Sequence, residues 1–193
     1  MARHLLPVAR LAGMLLCLTL AAASAADTPG LRDGQHDFDF SLGLWRTHIR
    51  RVLDPFDAAS RAIELTGTVR VRKLWNGRAL LEEIEADGPL GHWEGLTLFL
   101  YNPTAHQWSQ SFSNSKMGVL NAPLIGDFHD GRGELFAQDT FRQRSILVRA
   151  VWSNIKPDSH RYEESYSEDG GRTWVAAFSA ELRREGTGGT AAP

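Results

Sequence analysis

The chain has 193 residues, a formal net charge of −2 and one cysteine, with acids and bases interleaved along its length. That balance excludes the basic stripe of a nucleic-acid-binding surface. With Cys17 alone, neither a disulfide framework nor a zinc–thiolate site is available.

Residues 1–25 read as a leader. Arg3 and Arg10 give a basic start, Leu11 to Ala22 is apolar, and Ala23-Ser24-Ala25 is a small-x-small cleavage pattern. The run is shorter than the roughly 20 apolar residues that a spanning helix needs. Leu15-Leu16 before Cys17 lack the small residue of a lipoprotein site. The expectation is a signal peptide cleaved near Ala25 or Ala26, a periplasmic or secreted protein, and no membrane anchor after cleavage. Residues 26–35, rich in Pro, Gly and Asp, read as a flexible mature N-terminus, and 185–193 as a disordered tail. Between them, 36–184 forms one domain large enough to bury its own core.

That domain opens with His36-Asp37-Phe38-Asp39-Phe40, where Asp37 could cap a short helical plug carrying Phe38, Phe40 and Leu42 onto one end of a sheet. From Trp45, apolar and polar residues alternate with the period of a half-buried strand, and Arg51 is a misfit on the apolar side. Ile63 to Val71 alternates most cleanly, and Asn76-Gly77 reads as the tight turn into Arg78 to Ala86. Further strands are expected over Trp93 to Tyr101, Gln107 to Ser113, Leu124 to His129, Glu134 to Phe141, Ser145 to Ser153, Arg161 to Ser167 and Thr173 to Leu182. Short turns join them, and residues 114–123 form the longest loop. About ten strands with no helical crossovers predict an all-β fold, a single antiparallel up-and-down barrel.

Two motifs are structural. Ser167 to Trp174, SEDGGRTW, fits the Asp-box hairpin, in which the aspartate binds turn amides and glycines take positive φ; it occurs once, not per blade as in sialidase-like propellers. Gly43-Leu44-Trp45 resembles the Gly-x-Trp step of lipocalin-type barrels, whose tryptophan stacks under an arginine of the last strand; Arg183 or Arg184 is suitably placed. Together with HDFDF (His36 to Phe40), LFLYNP (Leu98 to Pro103), DTF (Asp139 to Phe141) and VRAVWSNIKPDS (Val148 to Ser159), these motifs resemble a bacterial domain-of-unknown-function family over roughly His36 to Arg184. The resemblance implies a calycin-like, lipocalin-like barrel and lends no catalytic residue. The leader is a departure from many members of that family.

The histidines His36, His48, His92, His106, His129 and His160 show no metal-ligand spacing, so no metal site is expected. A single axial histidine to a haem in the barrel is compatible with the spacing, because one residue would suffice; otherwise no cofactor is implied. Glu82, between Leu80 and Ile84, and Glu164, between Tyr162 and Tyr166, put acids on apolar faces, where desolvation would raise their pKa values unless an arginine pairs with them. The expected function is binding of a small, largely apolar or aromatic molecule in the lumen. Trp45, Phe99, Trp108, Trp152 and Tyr166 would supply wall, and Glu82, Gln110 and Glu164 orientation. The alternatives are a barrel enzyme using Glu82 or Glu164 as general acid or base, of isomerase, cyclase or lyase type, and a structural or protein-interaction role without ligand.

Overall fold

The computed structural model describes residues 32–186. The leader, residues 26–31 and residues 187–193 of the expected tail lie outside the described residues.

Ten strands follow one another without a crossover: β1 (Gly43–Val52), β2 (Ala62–Leu74), β3 (Ala79–Gly88), β4 (Gly91–Asn102), β5 (Gln107–Asn114), β6 (Leu124–His129), β7 (Arg132–Phe141), β8 (Arg144–Lys156), β9 (Ser159–Ser167) and β10 (Val175–Arg184). Each pairs antiparallel with its sequence neighbour, and β1 pairs with β10, closing the barrel. Closure leaves no unpaired strand edge. Among the described residues no helix is long and apolar enough to cross a membrane.

Because successive strands reverse direction, the barrel has two unlike ends. The end where β1 begins is packed solid. Here the chain makes a three-residue 3-10 turn, Asp39–Ser41, without a side-chain cap. Asp37, expected as that cap, pairs instead with Arg32. Phe38 is fully buried, its ring against Phe99, Trp108, Phe128 and Trp152 with centroids 4.8–5.1 Å away. Such edge-on and tilted pairings add to the area that the rings bury.

Trp45 seals the same end. Its indole donates a hydrogen bond to the Ser41 carbonyl at 2.7 Å, and the Arg184 guanidinium lies over its ring. Gly43 takes φ +111°, and a Cβ there would sit 2.9 Å from the Arg184 guanidinium, so both the backbone and the stacked arginine require glycine.

Residues 32–35, read from sequence as part of a flexible lead-in, are held against this end. The Gly34 N–H donates to the Tyr101 hydroxyl (3.0 Å) and the Trp108 indole to the Gly34 carbonyl (2.8 Å). Glu185, read as the first tail residue, still donates its N–H to the Leu44 carbonyl. The turn at Asn76-Gly77 is also longer than a two-residue hairpin: Leu74 opposes Ala79, and Trp75, Asn76 and Gly77 all take positive φ.

The opposite end carries the β1–β2 loop, the long 115–123 connection and the Asp-box hairpin. In that hairpin Asp169 accepts from the Thr173 amide and hydroxyl and from Ser167, which holds its carboxyl low, at about 2. Trp174 packs on the outer wall under the Arg149 guanidinium, 4.5 Å from its ring centre.

Candidate functional site: a half-open barrel lumen

Above the aromatic floor lies a cavity of about 320 Å³, within the size range of small-molecule sites. Trp152, 4% exposed, forms part of the floor: one side of it packs on Phe38 and Phe99, and it lines the cavity above. The walls are largely apolar, with Leu65, Val69, Ile84, Phe112 and Phe178 among them, and Trp93, Met117 and Phe141 lie around the lining toward the mouth.

Polar groups enter this wall from several strands. Glu82 on β3 lies opposite Thr97 on β4, whose hydroxyl donates to Glu82 Oε1 at 2.7 Å. The Glu82 carboxyl lines the cavity, and burial pushes its pKa up to about 7 against the smaller opposing pull of the threonine hydrogen bond. On β9, Tyr162, Glu164 and Tyr166 occupy alternate positions and therefore share the inner face. The Tyr166 hydroxyl donates to Glu164 Oε1 (2.8 Å) and that of Tyr162 to Oε2 (3.1 Å). Burial raises the Glu164 pKa, and the two tyrosine donors partly offset it. Burial also raises both tyrosines, with the neighbouring Glu164 charge adding to the effect.

Three further groups on the lining have unmet hydrogen-bonding capacity. Gln110 Oε1, Thr47 Oγ1 and His160 Nδ1 are buried and without a partner. His160 sits low in the barrel with its ring edge-on to Trp45 (4.5 Å) and Phe40 (5.0 Å). Burial, with Arg184 nearby, depresses its pKa to about 4, so the ring is neutral at physiological pH. At the mouth stand Arg51 and Asp139. Arg51, the misfit on the apolar side of β1, faces inward as its position requires, but at the height where the barrel meets solvent.

Of the residues expected from sequence, Glu82, Gln110, Trp152, Glu164 and Tyr166 line the cavity together. Trp45, Phe99 and Trp108 do not: they face inward but belong to the packed end, each at most 2% exposed. Period-two alternation fixes the face of a residue and carries no information about its height along the barrel. Thr97, Tyr162 and His160 were missed, although each shares strand parity with a residue expected inside; Asp139 lies on β7, where no site residue was expected.

The other histidines of the described residues are outside the lumen. His36, His48, His92 and His129 sit beside surface carboxylates, and His106 bonds the Arg32 carbonyl. No group of three potential metal ligands gathers among the described residues.

No family model and no curated protein matches this sequence. Among solved structures, the chain is similar to the S-type phycobiliprotein lyase CPES from Guillardia theta, with a TM-score of 0.56 at 14% identity, covering 82% of this chain and 96% of that one. It also matches a fluorescence-activating β-barrel designed de novo, with a TM-score of 0.39 at 15% identity over 80% of this chain and all of the design. The first likeness establishes the barrel fold.

Proposed function

We propose that this protein is an exported calycin-like barrel that binds a small molecule with a largely apolar or aromatic body and a polar end. The observation that carries the reading is the lumen itself. An apolar cavity left open above a solid floor forfeits packing. The burial of Gln110 Oε1 and Thr47 Oγ1 without partners costs more still, about 1–3 kcal/mol for each unsatisfied group. A ligand that fills the space removes the first cost, and one that also draws either oxygen into a hydrogen bond removes the second. Export is supported by the sequence of the leader.

The test is native against denaturing mass spectrometry of protein purified from its own host, with an absorption spectrum of the same sample. The expected result is a stoichiometric mass lost on denaturation; a Soret band would identify it as haem. A clean apo mass in every preparation, together with no binding of any small aromatic probe, would overturn the reading.

A barrel enzyme is the second reading, favoured by the Glu82 carboxyl with its pKa of about 7, matched to proton transfer at neutral pH. Replacing Glu82 with Gln abolishes turnover in that case and only weakens affinity in the first.

A further inference from the structure

The lumen is unbalanced in charge. Glu82 enters from β3 and Glu164 from β9, and Asp139 on β7 adds a third carboxyl at the rim. The other polar groups of the lining include Thr47 on β1, Thr97 on β4 and Gln110 on β5, with Tyr162 and Tyr166 beside Glu164 on β9, all neutral, and His160, also on β9, which burial keeps neutral. Among the described lining residues the only full cation is Arg51, exposed at the mouth. No arginine or lysine of the described chain forms an ion pair with either deep carboxyl.

The hydrogen-bonding capacity is unbalanced in the same direction. The Thr97 hydroxyl and both tyrosine hydroxyls already donate to the carboxyls, so those oxygens keep only acceptor capacity. Gln110 Oε1, on a side chain only 6% exposed, is an acceptor with nothing to accept from. The surrounding wall presents the rings of Trp93, Phe112, Phe141, Trp152, Tyr162 and Phe178, whose faces attract positive charge.

Resting on the reading that the lumen holds a small molecule, we propose that its occupant is an organic cation. It would be an amine on an aromatic or apolar body, its N–H groups directed at the Glu82 and Glu164 carboxyls. An anion of the same shape would meet two acids in the lumen, with Arg51 at the mouth as the one full cation of the described lining; a neutral molecule would leave the carboxyls to protonate. Since Glu82 titrates near neutrality in the empty barrel, an ammonium group beside it favours the carboxylate, and binding strengthens as pH rises through that range.

The test is calorimetric titration of the purified protein with three indoles of matched size: tryptamine, a cation throughout the range used; tryptophol, neutral; and indole-3-acetate, an anion. Tryptamine is expected to bind about tenfold or more tighter than the other two, by the scale of a single charge pair in a desolvated site. Its affinity rises about tenfold from pH 5.5 to 7.5 as Glu82 ionises, while that of tryptophol stays level. The isosteric variants Glu82→Gln and Glu164→Gln, checked for folding by thermal melting, each reduce the preference for tryptamine without weakening tryptophol. If tryptophol or indole-3-acetate binds as tightly as tryptamine, the cation proposal is overturned and lumen binding stands. If none of the three gives saturable heat, the cation proposal falls, and the native mass measurement shows separately whether lumen binding falls with it.

Discussion

The guanidinium of Arg184, the last residue of β10, lies 4.1 Å from the ring centre of Trp45 on β1. Its three nitrogens donate to the carbonyls of Leu42 (2.7 Å), Phe40 (3.1 Å) and Pro157 (2.8 Å). One side chain thus ties together the entry turn, the β8–β9 turn and the strand pair that closes the barrel. Trp45→Ala is expected to cost about 3–5 kcal/mol in urea unfolding, the range for deleting a buried aromatic. Arg184→Lys keeps the charge yet cannot reproduce the planar fork; the expected loss is about 1–2 kcal/mol, the scale of a hydrogen bond or two.

The lumen acids make stability depend on pH in a defined direction. Below about 4.5 the Glu82 carboxyl is protonated in folded and unfolded chains alike; as pH rises to about 7 the unfolded chain ionises first, so the folded state loses stability across that window. His160 acts oppositely: its contribution is complete above about 6.5 and is lost as pH falls toward about 4. Glu82→Gln should therefore melt progressively higher than the parent protein as pH is raised from about 5 to 7.5, by up to about 1.4 kcal/mol for each pH unit in the window. A difference independent of pH would show that the carboxyl titrates normally.

The polar groups left without partners predict a trade between stability and binding. Thr47→Val removes a hydroxyl oxygen that is buried and unbonded, at nearly the same shape. The empty protein should gain about 1 kcal/mol, measurable by chemical denaturation. Affinity for any ligand that uses the hydroxyl should fall in parallel.

Strand pairing is uneven around the barrel. β5 and β6 share only three paired positions, Trp108 with Gly126, Ser109 with Ile125 and Gln110 with Leu124, where β1 and β2 share ten. Above that seam, the Asn121 side chain accepts from the Phe112 amide at 2.7 Å, and Met117 and Asn121 line the cavity. Hydrogen exchange should find the seam the first part of the wall to open. Asn121→Ala should speed exchange at Phe112, with little change at β1–β2.

Most of the architecture was legible in the sequence, because each strand alternates cleanly and ends in turn chemistry. The ten strands and their order follow from local pattern; the Trp45–arginine stack was implied by the resemblance to the Gly-x-Trp step, which left Arg183 and Arg184 open, and the structure has Arg184. The site was legible by halves. Glu82, Gln110, Trp152, Glu164 and Tyr166 were found because parity placed them inside. Trp45, Phe99 and Trp108 lie in the packed end and not on the cavity, because parity does not report depth, and depth depends on how far Phe38 reaches into the barrel. Tyr162 and Thr97 were overlooked as cavity residues because a tyrosine or threonine on an inner face looks like ordinary core until its hydroxyl is seen bonded to an acid.

Both ends of the described chain leave from the tryptophan-sealed end: Arg32 bonds the Phe128 carbonyl there, and Glu185 continues past Arg184 beside Leu44. The mouth, ringed by Arg51 and Asp139, faces the other way. A handle joined directly before Arg32 or after Gly186 therefore leaves on the side opposite the entrance, and the barrel can be immobilised through either of these points with its opening presented to solution.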